Sequence, residues 1–90
     1  MAYRQMISDL IADCKRAKED GINHSEIRST ILPERLQSFL KISTDFLDWI
    51  RDDWEFSFYF YEAQQSGMCS KPNEIVASII DTIVFDEIED

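Results

Sequence analysis

The sequence predicts an all-α fold, a small bundle of three main helices plus one short helix, and three observations carry that expectation. Apolar residues recur at spacings of three and four over most of the 90-residue chain, which is the period of one helical face. The chain has only two Gly and two Pro, and they fall where helix ends are expected. Asn23 is followed three residues later by Glu26, the pairing of a capping box at a helix start.

The first helix is expected over residues 3–20. Tyr3, Met6, Ile7, Leu10, Cys14 and Ala17 share one face, and Gly21 stands where a left-handed cap residue is wanted. Cys14 is thereby a core residue. Asn23 then opens a short helix in which Ile22 and Ile27 are placed as a hydrophobic staple. Leu32 and Pro33 end it, with Pro33 as the first residue of the next helix, where its missing donor costs nothing.

From Glu34 the residues Leu36, Phe39, Leu40, Ser43, Phe46, Leu47, Ile50, Trp54, Ser57, Phe58 and Tyr61 follow one face at about 100° per residue, so a long third helix is expected as far as Gln65. A kink or restart near Ser43 is compatible with the cap-like run Ile42-Ser43-Thr44-Asp45. Alternation of Trp54, Phe56, Phe58 and Phe60 also fits a strand, but the helical register continuing from Leu36 to Tyr61 favours helix. Gly67 closes that helix, residues 68–71 form a loop, and the last helix spans residues 72–87 with Ile75, Val76, Ile79, Ile80, Ile83 and Val84 in a wide apolar sector.

Ninety residues make one domain, 1–90, because two independent cores need more chain than this. A hydrophobic fraction of 44% is that of a folded globule rather than a disordered acidic tail. Residues 1–10 show no basic region followed by an apolar run, and no eighteen-residue apolar stretch exists, so a cytoplasmic protein without membrane association is expected. Cys14 and Cys69 belong to no metal-ligand or redox spacing, so free thiols are the expectation.

Charge is divided unevenly. Residues 1–44 carry seven Lys/Arg against six Asp/Glu, a net of +1, whereas residues 45–90 carry two against twelve, a net of -10. The acidic second half, 45–90, repels nucleic acid and anionic membranes and attracts basic surfaces. Its most organised part is Asp45, Asp48, Asp52 and Glu55, which fall within about 80° on the expected third helix. Trp49, Phe56, Tyr59 and Phe60 then project away from the apolar face and flank the acids. Exposed aromatics beside charge have the composition of an interface hot spot, so Asp45, Asp48, Trp49, Asp52, Asp53, Glu55, Phe56 and Tyr59 are the expected partner-binding residues.

No enzyme, metal or cofactor constellation is legible. His24, the single histidine, lies in a first helical turn without a cysteine, serine or carboxylate pattern around it and reads as an exposed turn residue. Two glycines cannot build a phosphate-binding loop. The run 85–90, with four acids around Phe85 and Ile88, fits an interaction tail, but reads first as a frayed, solubilising terminus. The expectation that follows is a small acidic inhibitor, of the immunity-protein, antitoxin or phage-inhibitor type, that occludes a basic, nucleic-acid-handling protein. The alternative is an assembly or adaptor module, including a homodimer formed through Trp49, Phe56 and Phe60.

Overall fold

In the computed structural model, residues 3–65 and 71–89 are described. Gly67, Cys69 and the expected loop up to residue 70 lie outside them. Helix α1 spans Tyr3–Glu19, α2 spans His24–Glu26, a π-helical turn spans Ile27–Ile31, α3 spans Leu32–Leu40, α4 spans Ser43–Arg51, α5 spans Ser57–Gln65 and α6 spans Pro72–Ile88. Since α2, the π turn and α3 run on without interruption, the described residues form five helices and no strand. The all-α class is as expected, and the count of three main helices plus one short is corrected to five.

Helix α6 is the axis of the bundle: α1, α3, α4 and α5 all pack against it. Val76, Ile79, Ile80, Ile83, Val84, Phe85 and Ile88 are buried along it, covering about 240° of its circumference at 3.6 residues per turn. A helix that is apolar over so much of its surface is stable in water only when neighbours wrap it. Each surrounding helix supplies a narrower stripe: Ile7, Leu10, Cys14 and Ala17 from α1, and Ser43, Phe46 and Ile50 from α4.

The end of α1 follows its sequence signal. Gly21 takes φ 91°, Ile22 N–H donates to the Ala17 carbonyl and Gly21 N–H to the Lys18 carbonyl, which is the Schellman arrangement. Asn23 Oδ1 accepts from Glu26 N–H at 2.9 Å, capping α2 as its spacing predicted.

The expected stop at Leu32 and Pro33 does not occur. A proline inside an α-helix lacks a donor and crowds the carbonyl four residues back, here Ser29. The π turn widens the helix over that stretch, with Leu32 N–H reaching the Ile27 carbonyl, so Pro33 is accommodated and the helix passes through it. The Thr30 hydroxyl donates to the Glu26 carbonyl at 2.5 Å, satisfying an acceptor within the distorted stretch.

The long third helix is instead three helices. The restart allowed at Ser43 takes place: Lys41 caps α3, Ile42 leaves the helical region at φ -126°, ψ 30°, and the buried Ser43 hydroxyl donates to the Leu40 carbonyl at 2.9 Å. Phe39, Ser43, Phe46 and Ile50 remain on the core side across this joint. A second break, from Asp52 to Phe56, changes the phase. Phe56, Phe60 and Ala63 are buried, whereas Trp54, Phe58 and Tyr61 are exposed, the reverse of the expected face.

Phe46 is fully buried where α1, α3 and α4 meet, with Tyr3 and Phe39 edge-on to its ring at 5.9 and 5.4 Å and Trp49 tilted at 5.8 Å. Phe46→Ala is expected to cost about 3–5 kcal/mol in urea unfolding, and a loss under about 1 kcal/mol would show that this aromatic cluster is not central to the core.

Candidate functional site

The break between α4 and α5 is built by Asp53. Its Oδ2 accepts from Glu55 N–H and Phe56 N–H, each at 3.0 Å, and its carbonyl accepts from Ser57 N–H. This is capping geometry for the turn that leads into α5: the carboxylate satisfies the backbone donors of residues 55 and 56 ahead of the helix. The other oxygen of Asp53 pairs with Arg4 Nη2 at 2.6 Å, and the Arg4 Nη1 group pairs with Glu55. Hydrogen bonding to Glu55 is the largest influence holding Arg4 more firmly protonated than a free arginine, and the charges of Asp53 and Glu55 add to it. The guanidinium also lies 4.8 Å from the Trp54 ring centre and 5.4 Å from that of Phe56. Arg4 on α1 is therefore tied to the start of α5 by two carboxylates and two rings.

This cap decides which aromatics reach the surface. Trp54 is exposed in the turn and Phe58 and Tyr61, four and seven residues on, are exposed on α5, while Phe56 in the turn and Phe60 and Ala63 on α5 are buried. The relative exposures of Trp54, Phe58 and Tyr61 are 84%, 61% and 49%. Glu62, exposed and four residues after Phe58, lies one helical turn from it on α5.

The expected binding residues separate into two groups. Asp45, Asp48, Asp52 and Glu55 are exposed. They do not form a single helical stripe, because α4 ends at Arg51 and Glu55 lies in the turn that follows. Arg51 lies 3.9 Å from Asp48 and 3.7 Å from Asp52. Asp53 is turned inward as the cap. The aromatic expectations are corrected: Phe56 and Phe60 are core residues, and Trp49 is half-buried beside Tyr3, Phe46 and Phe56. Tyr59 is also half-buried, and burial first, then the charge of and hydrogen bond to Asp86, push its pKa above the usual phenol value.

Trp54, Phe58, Tyr61 and Arg4 were not among the expected site residues. The signal that points to them is Asp53 itself, a favourable N-cap type directly before an aromatic run, which resets the helical phase.

Other reactive side chains are engaged in packing. His24 is half-buried rather than exposed, with its ring 5.6 Å from Phe85. Cys14 is fully buried, and burial pushes its thiol pKa up, away from the reactive thiolate. At the carboxyl end of α6, where acids are unfavourable, Lys18 Nζ donates to the Ile88 carbonyl. Among the described residues no three His, Cys, Asp or Glu side chains converge as metal ligands, and no helix is long and apolar enough to cross a membrane.

Asp53→Ala is expected to lose about 1–2 kcal/mol of stability through the cap, whereas Asp53→Asn keeps an acceptor oxygen and loses less; equal losses in calorimetry would remove the capping role. Tyr59 gives a second test. A raised folded pKa means that its stabilising contribution is complete below the unfolded value of about 10 and is lost as pH rises through the folded value. Tyr59→Phe should therefore flatten part of the alkaline fall in stability, and an unchanged slope in pH-dependent unfolding would contradict the assignment. Compared with protein-family models, with curated proteins and with solved structures, the chain matches none.

Proposed function

We propose that this protein binds a basic protein partner through the Trp54, Phe58 and Tyr61 face, and that it acts by occluding a nucleic-acid-handling surface on that partner. The observation that carries this reading is that Trp54 is left 84% exposed, with Phe58 and Tyr61 also exposed, whereas the other large apolar side chains among the described residues are at least partly buried. A fully covered aromatic contributes roughly 150–250 Å² of contact. Scaled by their exposures, the three together offer about 400 Å², half of the roughly 800 Å² that each partner contributes to a standard interface. The face is thus large enough to be the centre of an interface whose rim comes from polar neighbours.

Those neighbours are acidic. Residues 45–65 hold six carboxylates and Arg51, and Arg4 from α1 pairs with two of the six, so the net charge there is -4. A field of that sign speeds encounter with a basic surface, and the aromatics then supply affinity by excluding water. The same field opposes pairing of two copies through this face, which favours a basic partner over the homodimer. An inhibitor and an adaptor share this binding step and differ in what happens to the partner afterwards.

The test is capture from cytosol by the immobilised protein at low salt, with release at high salt, repeated with two variants. Trp54→Ala should weaken capture of a basic protein by about 2 kcal/mol, roughly thirtyfold. Asp52→Asn with Glu62→Gln should chiefly reduce the salt dependence. Retention of a partner by Trp54→Ala with undiminished affinity would exclude this face, and a homogeneous dimer by sedimentation would favour self-assembly.

A further inference from the structure

We infer that the aromatic and acidic face selects arginine over lysine on the partner, an inference that rests on the binding reading above and specifies its chemistry. The ground for it is how the molecule treats its own Arg4. That guanidinium is held by carboxylates of Asp53 and Glu55 while the rings of Trp54 and Phe56 lie 4.8 and 5.4 Å away. Each part of that site matches a property of guanidinium: planarity for stacking, a fork of donors for carboxylates, and hydration weak enough to be given up at an aromatic surface. A lysine ammonium is compact and strongly hydrated, so it gains from the charge and much less from the rings.

Beyond the part that Arg4 occupies, the outer face offers the same ingredients again in Phe58, Tyr61 and Glu62. Phe58 and Tyr61 are exposed on α5 after Trp54 in the preceding turn, and Glu62, also exposed, stands four residues after Phe58 on the same helix. Arg4 does not exhaust Trp54, whose residue remains 84% exposed. An incoming guanidinium therefore meets ring surface and a carboxylate together, with Glu62 in reach of a cation stacked over Phe58 because the two are one helical turn apart on α5. The surface fits a partner segment rich in arginine.

The experiment uses the whole protein with two end-capped probes of equal charge, hexa-arginine and hexa-lysine, followed through the indole N–H resonance of Trp54, assigned with Trp54→Phe. Hexa-arginine is expected to bind about fivefold or more tightly than hexa-lysine, the size of one or two exposed cation–ring contacts, and to move the Trp54 resonance. In Phe58→Ala and in Trp54→Ala, both at exposed positions and checked for an unchanged fold by circular dichroism, the preference should fall toward unity while hexa-lysine binding changes little. Equal affinity for the two probes in the native protein would overturn arginine selection and leave the basic-partner reading standing. A preference that survives both alanine variants would also overturn it, by placing the guanidinium elsewhere. Failure of both probes to bind at low salt would overturn the selection together with the basic-partner reading.

Discussion

The constraint on which this bundle depends is that α6 is apolar around most of its circumference. Ile79, Ile80, Ile83 and Val84 would expose a continuous hydrocarbon surface if any neighbour were missing. Four helices therefore have to surround it, and a 90-residue chain can supply them only if they are short. The breaks at Ile42 and at Asp52–Phe56 have this physical sense: they fold what would be one long rod into pieces that fit around the axis. Each short helix can offer only one side to α6. In α5, where the aromatics Phe58, Tyr59, Phe60 and Tyr61 follow one another around the helix, the remaining side must hold some of them outward.

The second break is set by one carboxylate with several partners. Asp53 serves as a cap for the turn that leads into α5 through one oxygen and as the ion-pair partner of Arg4 through the other. It thereby fixes the direction in which α5 leaves α4 and attaches that start to α1, and the orientation of Trp54 follows from both. The acidity of the second half is accordingly of two kinds. Asp53 is structural, with its side chain 7% exposed, whereas Asp45, Asp48, Asp52 and Glu62 stand in solvent and contribute field. Only the second kind is available to a partner.

Much of the architecture was legible in the sequence. The α1 face, the Gly21 end, the Asn23 cap, the restart at Ser43 and the apolar sector of α6 all follow from local rules, since spacing and capping residues act within a few positions. The candidate surface was legible in its charge but not in its aromatics. The periodicity from Leu36 to Tyr61 is continuous when counted along the chain, and the Asp53 turn shifts the phase so that Phe56 replaces Trp54 on the core side. Asp53 as a cap-type residue is a local signal for the second register, whereas the ion pair with Arg4, 49 positions away, that holds it in place leaves no trace in a local pattern.

The π turn before Pro33 has a comparable effect on the other side of the bundle. In an unbroken α-helix, five residues carry the chain about 140° past a full turn, so Ile27 and Leu32 would face in different directions. The wider turn brings both inward, at 0% and 5% exposure, and delivers Phe39 to the same core. The one extra residue that the π turn holds between Ile27 and Leu32 is thus a rotational spacer between two halves of one helix. Shortening the segment by a single position would leave its hydrogen bonds nearly intact while aiming α3 at water, which makes chain length here as strict a requirement as side-chain identity.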